Sequence, residues 1–285
     1  MIRLKREIKN KTFDGERALY GSVDTVVKNC TFAGPADGES ALKESKNIYV
    51  IDCSFSLRYP LWHVKNFTVF NCKMDGLTRA GLWYCKNGAI GRSELFGIKA
   101  LRECKNIAVS FSKINSEEFG WKCKNIAVAD SQITSQYFMF ESSNVQISNV
   151  KMNGKYSFQY VKNAIVEISE FDTKDAFWHS KNVTVKNCTL KGEYLGWYSE
   201  NLTLENCKII GTQPLCYCKN LKLINCTMED CDLAFEYSSV IADVKGHITS
   251  VKNPKSGRII ADSIGEIIKD GSVKKCVCKI KDRQQ

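Results

Sequence analysis

Lys174, Asp175 and Glu193 are the residues best placed for acid–base chemistry, because they form the charged cluster nearest a run of aromatic side chains. A carboxyl pair that cleaves a glycosidic bond needs a separation of roughly 5–9.5 Å. On an extended strand, residues four apart such as Asp175 and His179 lie about 13 Å from each other at ~3.3 Å per residue. Asp232 and Glu236 share that spacing and fail in the same way. Lys174 and Glu193 occupy equivalent points of consecutive repeats and are expected to pair as ions, which favours a structural role. His63 and His179 are six repeats apart, roughly 29 Å at ~4.8 Å per repeat, too far to share a metal or a substrate atom. His247 is solitary. Cys276 and Cys278 make a C-x-C with no second ligand pair at zinc spacing. Neither a glycine-rich phosphate loop nor a nucleophile elbow occurs. No metal or cofactor is therefore expected, and Lys174, Asp175 and Glu193 stand as the catalytic candidates.

A second chemistry needs no reacting group. Tyr156, Phe158, Tyr160, Phe177, His179, Tyr194, Tyr198 and Tyr217 recur at even offsets within a repeat and at equivalent points between repeats. On one strand face they would form an aromatic surface, and exposed patches of that kind mark interaction sites. Ring faces ~4.8 Å apart would offer a stacking track to a carbohydrate chain. The same stripe would suit a protein partner or a second copy of the chain. The plainer alternative is that the N-terminal segment or a neighbouring chain covers it.

What must position these residues is a repeat. Lys-Asn followed by alternating apolar residues recurs at Asn47, Asn66, Asn87, Asn106, Asn125, Asn144, Asn163, Asn182, Asn201 and Asn220. Every step is 19 residues except one of 21, between Asn66 and Asn87. Stacked repeats of this class bury their core against neighbours, one coil on the next. Counting from the marker asparagine, offsets 1 and 3 are apolar (Val183 and Val185), which predicts a strand with those side chains inside. Offset 5 is often Asn or Asp, such as Asn187, and predicts a turn. Offsets 6 and 8 point inward again on a second strand, as in Cys188 and Leu190. A third strand is expected over offsets 12 to 17. Its parity puts offset 15 (Trp62, Trp83, Trp121, Trp178, Trp197) in the core and offsets 12, 14 and 16 on the outer face.

The expected fold is an all-β, single-stranded parallel β-helix of 19-residue coils, about 13 in number. A left-handed β-helix follows a hexapeptide repeat, which is missing here, so the right-handed form is expected. One domain is read over 1–285, with an N-terminal cap over 1–22, coils over 24–262, and a C-terminal cap and tail over 263–285. An inserted loop is placed at 34–40.

The net charge of +10 has a repeat origin, since a lysine precedes most marker asparagines. A solvated basic corner that discourages edge-to-edge association accounts for it. With no arginine or aromatic ring interleaved there, a nucleic-acid partner is not expected. Cysteines also recur at fixed points (Cys53, Cys72, Cys188, Cys207, Cys226), where stacking spaces them ~4.8 Å apart. That exceeds the ~3.5–4.5 Å between Cβ atoms of a disulfide. Reduced core thiols, no secretory signal and no apolar run of membrane length point to the cytoplasm and away from a membrane.

YPLW (59–62), RAGLWY (79–84), KDAFW (174–178), GEYLGW (192–197) and LAFEYS (233–238), with GERALY (15–20), resemble an uncharacterised bacterial family of unknown function. The resemblance spans nearly the whole chain. It implies a right-handed β-helix similar to the pectin-lyase-like superfamily, and it brings no assigned activity. The paired-aspartate and Arg-Ile-Lys motifs of polygalacturonases are missing, and the calcium-binding carboxylates of the lyases have no clear counterpart. The reading is a non-catalytic binding or scaffold protein whose aromatic face takes a glycan or a protein partner, a homodimer included. The alternative is a polysaccharide lyase or glycoside hydrolase acting on the same face.

Overall fold

The computed structural model describes residues 6–34 and 39–284; positions 35–38 of the inserted loop and 1–5 of the N-terminal segment lie outside them. The chain forms two compact units, Met1–Asn144 and Val145–Gln285. Each is a parallel β-solenoid, and none of the described residues is helical. No helix is long and apolar enough to cross a membrane.

The two-residue alternation produces the strands. In Lys181–Lys186, Val183 and Val185 are buried while Lys181 and Asn182 face solvent. Thr189–Lys191 follows as a shorter second strand with Leu190 inside. Asparagines make the corners between them. Asn182 and Asn187 sit at φ 55° and 53°, a left-handed conformation that Asn tolerates better than most residues. The corner amides also bond from coil to coil. Asn66 Nδ2 donates to Asn47 Oδ1 at 3.0 Å, and Asn201 Nδ2 to Asn182 Oδ1 at 2.8 Å.

In the Met1–Asn144 unit the lysine row is in register: Lys46 faces Lys65, then Lys86, Lys105 and Lys124 in turn. Arg6–Lys9 pairs with Val23–Lys28, and Thr12–Phe13 with Thr31–Ala33. The described part of the N-terminal segment therefore takes the coil register itself. The two extra residues before Asn87 fall in an exposed turn, where Asp75 Oδ1 accepts the Leu77 N–H.

In the Val145–Gln285 unit, Lys162 faces Lys181, and Lys181 faces Glu200. Further on, the strands lengthen to Ser239–Lys252 and Ser256–Ile268, with a bulge between Val244 and His247. Lys279–Asp282 adds a last strand. Arg283 fastens it by donating to Asp243 Oδ1 at 2.7 Å and Asp262 Oδ1 at 2.6 Å.

All fourteen cysteines are free, and twelve are buried. Their thiols join the backbone network: Cys72 Sγ contacts the Val50 and Phe70 carbonyls, and Cys53 N–H donates to Cys72 Sγ. Burial pushes the Cys188 and Cys218 thiols up to about 11, so they stay protonated and inert.

Candidate functional site

The third side of each coil is built differently from the other two. In the first unit it includes two-residue strands, Leu61–Trp62, Leu82–Trp83 and Leu101–Arg102, paired in parallel. In the second unit it is an arc in which every other residue is left-handed. Tyr156, Phe158 and Tyr160 have φ of 61°, 60° and 57°, and Asp175, Phe177 and His179 have 53°, 61° and 53°. Such angles cost bulky residues roughly 1–2 kcal/mol each. Hydrogen bonds to both neighbouring coils hold them. Asp175 and His179 N–H donate forward to Glu193 O and Trp197 O, at 2.9 and 3.0 Å, while Phe177 N–H donates back to Ser157 O at 2.8 Å.

That reversal at the middle residue breaks the strand parity expected from the sequence. Phe158 and Phe177 are fully buried, contrary to their placement on the outer face. Met139 and Leu215, at the same offset, are buried too. Conversely, Trp62, Trp83, Trp121, Trp178 and Trp197 are only half-buried, not core residues. Gly196 takes the same place at φ 75°, because a Cβ there would lie 2.8 Å from the Leu215 side chain. The ~13 Å strand separation assigned to Asp175 and His179 does not apply to an arc.

Offset 16 does face solvent, and in the second unit it forms one stacked column. Tyr160 lies on His179 (centroids 5.2 Å apart, planes at 6°), His179 on Tyr198 (5.0 Å, 9°) and Tyr198 on Tyr217 (4.8 Å, 12°). Tyr237 continues it, tilted, at 5.8 Å. Tyr160 and Tyr198 are 45% and 43% exposed. The ring faces are thus occupied by one another, and the column presents ring edges, not the open faces expected from the sequence. Trp178 stacks beside His179 at 6.1 Å, and Trp197 meets Tyr217 edge-on at 5.3 Å. Tyr194 packs edge-on against Trp197 and carries the Lys174 ammonium 5.0 Å over its ring. Tyr156, at offset 12, is half-buried.

Three features tune this corner. His179 is held below the ordinary histidine range by burial and by Lys181, so the ring is neutral at pH 7. Tyr217 O–H donates to Glu236 Oε2 at 3.2 Å, and burial together with that carboxylate pushes the phenol up to about 12. Glu236 is itself paired with Lys252 at 3.2 Å. At the C-terminal end the chain covers its own rings: Val273 N–H donates to Tyr237 Oη, and Lys274 Nζ sits 4.7 Å over that ring.

The catalytic candidates come together as expected from their register. Lys174 Nζ and Glu193 Oε2 are 3.0 Å apart. Asp175 is buried beside them, and burial raises its carboxyl above the usual range, with Glu193 adding to the rise and Lys174 opposing it. Among the described residues no group of three or more His, Cys, Asp or Glu could hold a metal ion.

The first unit carries an aromatic cluster of its own, built on two tryptophans that the sequence reading assigned to the core. Trp62 stacks on Trp83 at 4.8 Å, with Lys43 3.7 Å over Trp62 and Arg102 4.5 Å over Trp83. Trp83 Nε1 donates to Glu103 Oε2, and His63 Nδ1 pairs with Glu44 Oε1 at 2.7 Å. Cations close these rings, whereas Tyr160 and Tyr198 are 45% and 43% exposed. Tyr237 was missed because it lies 20 residues after Tyr217 rather than 19, out of step with the column.

Among solved structures, the chain is similar to PfbA, a surface adhesin of Streptococcus pneumoniae, with TM-score 0.57 and 8% identity over 82% of this chain and 84% of that one. Others are the A-module of the Azotobacter vinelandii mannuronan C-5 epimerase AlgE4 (TM-score 0.31, 10% identity, 95% and 89% covered) and a Paenibacillus alginate lyase (0.30, 10%, 84% and 91%). At such identities the likeness to PfbA extends to the fold and no further. No curated protein matches the sequence. A family model matches residues 6–281, and the chain belongs to the family described as protein of unknown function (DUF3737).

Proposed function

We propose that this protein is a non-catalytic binding module whose contact surface is the ring column Tyr160, His179, Tyr198 and Tyr217. The observation that carries the reading is the continuous stack itself, half-exposed and held on an arc whose backbone is bonded to both neighbouring coils. Stacked rings are pre-organised, so little side-chain entropy is lost on contact. Their edges offer C–H surface and phenol oxygens at coil spacing, which suits an extended glycan; a protein partner, including a second copy, would use the same edges. The fourteen free thiols favour a reducing compartment, and we place the protein in the cytoplasm.

The double variant Tyr160→Ser/Tyr198→Ser tests the site. It interrupts the three stacked pairs of the column and the Trp178–Tyr198 stack, each worth about 0.5–1.5 kcal/mol, so the protein should stay folded with a lowered melting temperature. Array binding of glycans held by the column, or self-association in sedimentation, should be lost. Association that survives the double variant would move the contact surface elsewhere.

A polysaccharide-acting enzyme remains the second reading, because a carboxyl whose pKa is raised by burial beside a lysine is how active sites are often built. Incubation with polysaccharide panels, followed by reducing-end and unsaturated-product assays, separates the two. Turnover abolished by Asp175→Asn would establish the enzyme.

A further inference from the structure

We propose that a groove on the first-strand face of the Val145–Gln285 unit binds a neutral, hydroxyl-rich chain, such as an oligosaccharide segment, through side-chain amides and hydroxyls. None of its lining residues belongs to the ring column, so the proposal does not depend on that site. The groove has a volume of about 770 Å³ and is lined by Asn201, Asn220, Thr203, Ser239 and Ile241 among others. Small-molecule sites typically measure ~300–1,000 Å³.

The recess has an identifiable origin. The corner column Asn182, Asn201, Asn220 continues in register as Ser239 and then Ser256. Side chains shorten from amide to hydroxyl, and beside them Val240 faces Gly257. Gly257, at φ 102°, can carry no side chain, because a Cβ would lie 1.9 Å from Val240 O. The coil surface therefore steps down where the asparagines end.

The lining sets amides and hydroxyls among apolar surface and is almost uncharged. Asn201 Nδ2 donates to Asn182 Oδ1 at 2.8 Å, and Asn220 Nδ2 to Asn201 Oδ1 at 3.1 Å. A chain of amides bonded in one direction polarises its members. Its acceptor end is Asn220 Oδ1, since the next residue in the column, Ser239, has no amide. Each laddered amide also keeps a second N–H and a second lone pair for a ligand. Ser239 Oγ accepts the Asn220 backbone N–H at 2.9 Å, which leaves its own proton to donate. One column over, Thr184 and Thr203 stand in register, with Lys222 and Ile241 following. Ile241 is 55% exposed and supplies an apolar patch for ring C–H groups. Lys222 is the single charged lining residue and no carboxylate is present, so the set matches neutral hydroxyls that both donate and accept.

The protein is titrated by calorimetry with neutral glucose hexaoses of α-1,4, β-1,4 and β-1,3 linkage. At least one should bind saturably, with an affinity unchanged between about 50 and 500 mM salt, since screening weakens charge pairs and not neutral hydrogen bonds. Thr203→Val with Asn220→Gly removes a hydroxyl and the terminal amide while suiting the strand and the left-handed corner. It should weaken binding about tenfold or more, the loss of two neutral hydrogen bonds. Hexaose binding lost in Thr203→Val with Asn220→Gly but kept in Tyr160→Ser/Tyr198→Ser assigns the glycan to this groove, and the reverse pattern assigns it to the ring column, so failure of the two sites is distinguishable. Should the double variant not fold, Thr203→Val alone carries the test with about a threefold loss. The proposal is overturned if no hexaose binds, if the variants bind like wild type, or if binding falls with salt and disappears in Lys222→Met.

Discussion

His179 lies between two phenol rings, and its proton equilibrium is coupled to the integrity of the column. Burial and the neighbouring Lys181 depress its pKa, so the folded protein binds fewer protons at this site than the unfolded chain. Where the unfolded state binds more protons, stability rises with pH. The contribution is therefore full above the ordinary histidine value near 6.5 and is lost as pH falls from there through the lowered value of the folded state. Asp175, whose pKa is raised, contributes with the opposite sign on the acid side, so the histidine must be isolated by difference. His179→Phe keeps a flat ring in the stack and removes the titration. Urea midpoints measured at about pH 7.5 and about pH 5.5 should fall less in His179→Phe than in wild type. Equal falls in both proteins would mean that this imidazole is not shielded in the folded state.

At the level of the element, the third-side arc decides which aromatic side chains are structure and which are surface. Phe177 fills the interior between coils, and truncation to Ala should cost about 3–5 kcal/mol. Trp178, the next residue, is half-buried on the outer side, and Trp178→Ala should cost less than Phe177→Ala despite removing the larger ring. Chemical denaturation of the two variants decides the order, and a larger loss for Trp178 would contradict the arc. The coil period, the inward valines and the corner asparagines were all legible in the sequence, because every coil must offer the same chemistry at the same point to stack. The inside–outside order of the third side was not. Left-handed backbone normally signals itself through Gly or Asn, and here it falls also on Tyr, Phe and Met, which carry no such sign. The one available clue was Gly120 and Gly196, which share an offset with Met139, Phe158 and Phe177; a glycine amid large side chains marks a point where backbone geometry, not strand parity, rules. Of the candidate site, the columns were readable, and the self-stacking that hides the ring faces was not.

The whole molecule sets charge and thiols against different threats. Each unit ends in a charged edge strand, Arg6–Lys9 in one and Lys279–Asp282 in the other, and charged edges discourage pairing with further chains. Ion pairs between adjacent coils, such as Lys151–Glu170 at 3.2 Å and Lys186–Glu205 at 3.4 Å, are exposed and worth little singly. Register is carried instead by the interior columns, and the cysteines belong to them. Thiol titration of the native protein, purified without reductant, should label at most Cys276 and Cys278, the two that are not buried. In urea under argon all fourteen should react. Pairs missing from that count would reveal disulfides and argue against a reducing compartment.

The ring column has an optical consequence. Near-parallel chromophores at 4.8–5.2 Å, with indoles alongside, share their excited states, so the corner should dominate the near-ultraviolet circular dichroism of the protein. Excitation absorbed at Tyr160 or Tyr198 should drain to Trp178, which lies 6.4 Å from the Tyr198 ring. Anything that settles on the ring edges, or a proton that arrives on His179, would change that emission. The protein thus carries a built-in, label-free reporter of the corner's occupancy.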